Sequence, residues 1–334
     1  MSINMYIYSQ EAGLETYESL EALERRPAGS TLWIDINSDS KELLDSLAIK
    51  FDLHELTIED SLTPDHFPKL ENFGKYLFII FRGLAPSSTE EEEDPEDREH
   101  SDEEEFTRQV AMYLSKDYLI TVRTQDVPWV DAYLRMVKQN PEQHIAIGAD
   151  ALAHRIIDAG IDRFERGLDA WDEEIDELEE TAIDTPDDFE MYHVLDLKRE
   201  LVALRQIARE QRMIILKLVN ESSNIIDPDH RRYFKDIDDH ALELINTLDK
   251  LIDNLQGVRD AYFAFSNIRL GNIMRILTVI TTILAPLNMM VGIYGMNFEV
   301  LPLAHDPNGF WIMISLITVA VVVMLTFFRK KRWF

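Results

Sequence analysis

From Met5 to about Thr124 apolar residues come in short runs and alternations. Thr31-Leu32-Trp33-Ile34-Asp35-Ile36, Tyr76 to Phe81 and Tyr118 to Val122 read as strands. Asn37-Ser38-Asp39 offers N-cap chemistry ahead of a helical stretch that ends near Phe51. The first part of the chain is therefore mixed α/β. From about Ala151 the period lengthens to three and four. Ile161, Phe164, Leu168, Trp171, Ile175, Leu178 and Ala182 form one apolar stripe, and Leu197, Leu201, Leu204, Ala208, Gln211, Ile215 and Leu218 form a second. Thr185-Pro186-Asp187-Asp188 separates them with turn chemistry, so the pair predicts an antiparallel helical hairpin.

A third stripe, Leu244, Leu248, Leu251, Leu255, Val258, Tyr262 and Phe265, continues without a proline between Pro228 and Pro286. A helix over Pro228 to Tyr294 would reach about 100 Å at ~1.5 Å per residue, and it cannot bury such a stripe alone. The stripe predicts packing against copies of the same chain. Two apolar runs close the sequence. Ile273 to Tyr294 carries one charge, Arg275, at its start, and Phe310 to Phe328 carries none. Each approaches the ~20 residues that cross ~30 Å of hydrocarbon, so two transmembrane helices are predicted. The connection Gly295 to Gly309 has no Lys or Arg, whereas Arg329-Lys330-Lys331-Arg332 is densely basic, with Trp333 beside it. The positive-inside rule puts that tail in the cytoplasm, the connection outside, and the N-terminal part in the cytoplasm as well.

Charge sharpens this division. The chain of 334 residues has a formal net charge of −29, and residues 1–260 hold 60 acidic against 27 basic side chains. A surface this negative repels phosphate backbones and attracts cations, which disfavours nucleic acid as a partner. There is no cysteine, hence no disulfide and no thiolate metal site. No basic-then-apolar leader stands at the N-terminus. The acidic run Glu90 to Glu105 reads either as a solvated loop or as a loose divalent-cation site, since hard cations prefer carboxylate oxygens. No phosphate-cradling glycine loop, nucleophile elbow or catalytic metal triad is found, so an enzyme is not predicted and no organic cofactor is implied.

Directly after the first apolar run stands Tyr294-Gly295-Met296-Asn297, followed by Phe298, Glu299 and Pro302. Here the chain resembles the CorA family, whose hallmark is a Gly-Met-Asn triplet at the outer end of the first of two C-terminal spans. Met274-Arg275-Ile276-Leu277-Thr278, Pro286-Leu287, Gly292-Ile293-Tyr294 and Lys330-Lys331-Arg332-Trp333 resemble the family's pattern at the right spacing. Thr57-Ile58-Glu59-Asp60, Pro68-Lys69-Leu70-Glu71, and Leu197-Lys198-Arg199 with Leu204-Arg205 are similar to its cytoplasmic domain.

The resemblance implies an α+β membrane protein. Its parts would be a cytoplasmic α/β domain (1–149), a helical hairpin and long stalk helix (150–272), a pore-lining first span (273–294), an external loop (295–309), a second span (310–328) and a basic cytoplasmic tail (329–334). It further implies a funnel-shaped homopentamer in the cell (inner) membrane that passes Mg2+, with Mg2+ also as a regulatory ligand. Position by position, Asp260, Gly271, Met274, Leu277, Thr281, Ala285, Asn288 and Gly292 would line the ion path, with Gly295, Met296 and Asn297 as the selectivity filter. Met274 and Leu277 would form a hydrophobic constriction that gates by dewetting. A regulatory cation site between neighbouring domains would involve Asp236, with Asp239 and His240 close by. Gly271 replaces the family's usual asparagine at the inner pore, and Ala285 and Asn288 replace commoner pore residues.

The chemistry of the triplet fits independently. Mg2+ gives up its water reluctantly, so an entrance that binds the hydrated ion needs neutral oxygen acceptors such as the Asn297 side chain and nearby carbonyls. Gly295 and Asn297 can equally be read as a helix cap. Two rival functions remain open. One is transport of Zn2+, Co2+ or Ni2+ on the same architecture; cousins that carry zinc tend to vary the residue between Gly and Asn, so Met296 favours Mg2+. The other is a non-conducting membrane-anchored sensor or scaffold, against which stand the polar positions Thr281, Asn288 and Asn297.

Overall fold

The computed structural model describes residues 2–64, 66–85, 107–296, 302, 306–331 and 333. The acidic run Glu90 to Glu105 lies outside the described residues, as does Asn297. The chain divides into two compact units: Met1–Leu178 with Glu190–Gly257, and Glu179–Phe189 with Val258–Phe334.

In the first unit seven strands form one sheet: β1 (Ser2–Ser9), β2 (Gly13–Tyr17), β3 (Thr31–Asn37), β4 (Lys69–Asn72), β5 (Leu77–Leu84), β6 (Thr107–Leu114) and β7 (Tyr118–Arg123). Their order is β2-β1-β3-β7-β6-β5-β4. Only β3 and β7 run parallel; every other neighbouring pair is antiparallel. The two-residue period of the strands sorts side chains between two faces. Leu32, Ile34, Ile36, Phe78 and Ile80 go to one face. There they join Leu44 and Leu47 of α1 (Lys41–Phe51), Leu53, and Ile58 of α2 (Glu55–Leu62) in one buried cluster. The cap of α1 falls on Ser40, whose hydroxyl accepts from the Leu43 N–H, one residue beyond the predicted Asn37-Ser38-Asp39. Ser38 instead accepts from the Ser40 N–H, extending the cap outward.

The other face of the sheet meets α3 (Pro128–Gln139), the short α4 (Pro141–His144), α5 (Ala149–Asp184) and α6 (Met191–Val219). Fit is close here: a Cβ placed on Gly160 of α5 would lie 2.4 Å from the Phe81 ring, so α5 can lie against β5 only with glycine at that position. Gln211 of α6 is fully buried and donates to the Arg82 carbonyl at 2.6 Å. Polar ties add to the apolar stripes: Arg212 of α6 reaches Asp238, and Arg205 reaches Asp249, each at 2.8 Å. Both aspartates belong to α7 (Arg231–Tyr294), whose 64 residues extend roughly 96 Å at ~1.5 Å per residue.

Asp35 on β3 is fully buried, which raises its carboxyl pKa, while the Arg123 guanidinium at 2.9 Å opposes the rise. Thr121 donates to the same carboxylate at 2.7 Å, and Arg123 also reaches Asp131 of α3 at 2.6 Å. The group stitches β3, β7 and α3 together. Truncating one partner strands the other charge in a dry interior. Arg123→Ala should therefore cost roughly 3–5 kcal/mol, and the paired change Asp35→Asn with Arg123→Met distinctly less. Denaturant unfolding of the detergent-solubilised protein checks this; a cost for Arg123→Ala no larger than that of the pair contradicts it.

His154 of α5 is buried edge-on against Tyr233 and Phe234, with ring centroids 5.6 and 5.4 Å away. Burial first, then the neighbouring Arg155 charge, pulls its pKa from 6.5 down to about 4. The unfolded chain takes up this proton near pH 6.5 and the folded one only near 4, so stability is intact above pH 6.5 and is lost as the pH falls towards 4. The loss should be on the order of 3 kcal/mol, and His154→Phe should flatten that part of the stability–pH curve. An unchanged slope in the variant contradicts the assignment.

Candidate functional site

In the second unit α7 continues through Ile273 to Tyr294, and α8 (Gly309–Lys330) follows. Both α7 and α8 are long and apolar enough to cross a membrane. Inside hydrocarbon a helix must satisfy its own backbone, and polar side chains need a partner or water. The Thr278 hydroxyl donates to the Met274 carbonyl at 2.7 Å, and Thr281 donates to Leu277 at 2.9 Å with Thr278 at 3.1 Å. With their protons engaged, these hydroxyl oxygens face outward as acceptors. Pro286 has no N–H to return to the Thr282 carbonyl, which leaves another backbone acceptor in the middle of the span.

Because α7 is one helix, its residues can be placed around its circumference. At ~100° per residue, Asp260, Gly271, Met274, Leu277, Thr281, Ala285, Asn288 and Gly292 fall within an arc of about 120°. The opposite side carries Ile276, Val279, Ile283, Leu287 and Met290, all large and apolar. Asn288 is exposed, and among the described residues its carboxamide has no hydrogen-bond partner. Such a group inside an apolar span marks a path or an interface.

Where the span ends, Gly295 still donates to the Val291 carbonyl at 2.9 Å, and Met296 to Ile293 at 3.3 Å. Gly295 is not among the glycines with positive φ, which are Gly13, Gly29, Gly74 and Gly148. The triplet's first position thus does not use the left-handed freedom that glycine offers. Its small size matters instead, since a Cβ there would lie 3.3 Å from the Val291 carbonyl oxygen. At the other end of the arc, Asp260 is held by its neighbour Arg259 at 2.9 Å.

The first unit holds a separate constellation. Asp158 and Asp162 of α5 and His240 of α7 each bring a ligand atom within 4.8 Å of the others. Asp158 and Asp162 are one turn apart on α5; Asp236, one turn before His240 on α7, is exposed and outside the three, and only its charge acts on Asp158. Burial, then the Asp162 charge, raises the Asp158 carboxyl pKa; the Arg155 and His240 charges lower it, and Asp236 raises it again. Glu165 is likewise raised, chiefly by burial. The Nδ1 atom of His240 is buried and has no hydrogen-bond partner among the described residues. Asp239 is exposed and outside this group, and Asp238 is taken by Arg212. Sequence reading thus named Asp236 and His240 but missed Asp158 and Asp162, although their four-residue spacing within a helical stripe was visible.

The donor set can hold a divalent cation. Carboxylates suit Mg2+, and an imidazole nitrogen adds affinity for Co2+, Ni2+ or Zn2+. No other group of three or more such ligands occurs among the described residues.

Residues 28–330 match the family described as "CorA-like Mg2+ transporter protein". The chain is 28% identical over 320 residues to the cobalt/magnesium transport protein CorA of Thermotoga maritima, covering 96% of this chain and 88% of that protein. With the cobalt/magnesium transport protein CorA of Methanocaldococcus jannaschii it shares 25% over 303 residues, covering 90% and 91% respectively. The complete structure of the CorA magnesium transporter from the latter organism is similar at a TM-score of 0.83 and 23% identity, covering 100% of this chain and 99% of that one. The predicted order of an α/β domain, a long helix and two C-terminal apolar helices is the order observed. The chain belongs to the CorA-like Mg2+ transporter family.

Proposed function

We propose that the chain is a passive channel for hydrated Mg2+, assembled as a homopentamer in the cell (inner) membrane with both termini in the cytoplasm. The observation that carries this reading is the arc of α7 that gathers Thr281, Asn288 and the small residues Gly271, Ala285 and Gly292, set against large apolar residues on the opposite side of the helix. Copies of α7 arranged around an axis would turn that arc inward and expose the apolar side to lipid or to α8. Gly295, Met296 and Asn297 would form the outer selectivity filter, where carboxamide oxygens accept hydrogen bonds from the ion's water shell. Met274 and Leu277 would narrow the inner end, and Thr281, Ala285 and Asn288 would leave a wetter stretch between. Entry would be driven by the membrane potential, worth about 2.3 kcal/mol per charge per 100 mV.

Inside the cell, Asp158, Asp162 and His240 would bind a regulatory cation, with the Asp236 charge close by. Their mutual repulsion falls when the cation arrives, which gives the assembly a charge-driven switch. The imidazole in this set supports a second reading, in which Co2+ or Ni2+ is a physiological ligand as well.

For the filter, Asn297→Ala should lower Mg2+ flux into proteoliposomes by roughly tenfold at matched incorporation. Wild type that carries Zn2+ or Ni2+ but no Mg2+ would overturn the Mg2+ reading, and no divalent flux at all would favour a sensor or scaffold. For the regulatory group, Mg2+ and Co2+ should each raise the melting temperature of the purified protein. Asp158→Asn with Asp162→Asn should remove both effects, and His240→Ala should weaken that of Co2+ more than that of Mg2+. Melting shifts unchanged in both variants would place the regulatory cation elsewhere.

A further inference from the structure

The turn between α5 and α6 is fastened to α7 at two points within the second unit. Arg269 donates through both terminal nitrogens to Asp187, Nη1 to Oδ1 and Nη2 to Oδ2, each at 2.7 Å. Phe189 stacks on Tyr262 with ring centroids 4.6 Å apart and planes 25° apart. Tyr262 and Arg269 are seven residues apart, two turns of helix, so they share one side of α7. That side lies about 120–140° away from the middle of the arc that carries Met274, Thr281 and Asn288. Arg269 stands four residues before Ile273, where the apolar run begins, and five before Met274.

Phe189 is buried, so the stack anchors the tip by packing, but the ion pair is not explained that way. The Asp187 side chain is 76% exposed and that of Arg269 51%. Ordinary exposed ion pairs hold little, but a parallel two-bond fork between guanidinium and carboxylate is the geometry that holds best. The guanidinium keeps the Asp187 carboxyl pKa below the usual range. The other cation on α7 just ahead of the span, Arg259, already has Asp260. Stacked aromatics add a second attachment that salt does not screen.

We propose that the Asp187–Arg269 fork and the Phe189–Tyr262 stack form a latch, which ties the hairpin tip to the outer side of α7 and holds the inner end of the ion path shut. The latch rests on the channel reading given above. Its position supplies the mechanism: restraint of α7 at residues 262 and 269 fixes where Met274 and Leu277 stand one to two turns later. Releasing the tip frees that side of the helix to move and lets the constriction widen.

The test is Mg2+ flux into proteoliposomes for Asp187→Ala, Arg269→Ala, Asp187→Arg, and the charge exchange Asp187→Arg with Arg269→Asp. Each single change should raise flux by about two- to fivefold, the range expected for losing one exposed ion pair, and the exchange should return it towards wild type. Raised ionic strength should increase wild-type flux and leave that of Asp187→Ala unaffected. Phe189→Ala should raise flux independently of salt. Unchanged or lowered flux in the single variants, or an exchange that restores nothing, overturns the latch while leaving the channel reading in place. Absence of flux in the wild type overturns the channel reading itself.

Discussion

Hydrocarbon offers no hydrogen bonds, and most of what is functional in this chain follows from that one constraint. A segment placed in the bilayer has to be helical, and each polar group on it must find a partner on its own helix, on another chain, or in water. The span of α7 meets the first demand by continuing a helix that begins at Arg231. Thr278 and Thr281 meet the second by donating to carbonyls one turn back. Asn288 and the Thr282 carbonyl freed by Pro286 do not, and they sit among residues that otherwise have no use for polarity. In the proposed channel, the partition of polar and apolar positions around α7 is what would make this helix, and not α8, the one that lines the path. In α8 Thr318 and Thr326 are also tied to their own backbone.

The first unit obeys a different balance. Its sheet is sandwiched between helices, and its buried ion pair and glycine contacts fix the packing of β3, β5, α3 and α5. Around that rigid body the acids outnumber the bases, and most basic side chains on the helices are already used. Arg205 and Arg209 serve Asp249, and Arg212 serves Asp238. Asp162 and Asp236 raise the cost of ionising Asp158, which Arg155 at 3.9 Å only partly offsets, with His240 beside Asp158 and Asp162. A divalent cation would relieve that cost, so in the proposed channel the same surplus of negative charge serves both to attract cations and to report their arrival.

Much of this was legible in the sequence because it rests on periodicity. The three apolar stripes, the two spans and the strands over 31–36 and 118–122 depend on local spacing, and the elements fall where that spacing puts them. The sheet order was not legible, since which strands become neighbours depends on long-range closure and not on spacing. Nor was the cation group: His240 lies some eighty residues from Asp158 and Asp162, and only the packing of α7 on α5 brings the three together. The Asp187–Arg269 fork escaped for the same reason, and Asp187 read simply as turn chemistry.

The central claim is that one arc of α7 faces the ion path. The chain has no cysteine, so single cysteines can be introduced without background. A water-soluble thiol reagent added to proteoliposomes during Mg2+ uptake should block flux through cysteines at positions 274, 281, 285 and 288. Cysteines at 276, 279, 283, 287 and 290 should leave flux unaffected. Block at the second set with none at the first would mean that the polar arc packs against protein and that the path runs elsewhere.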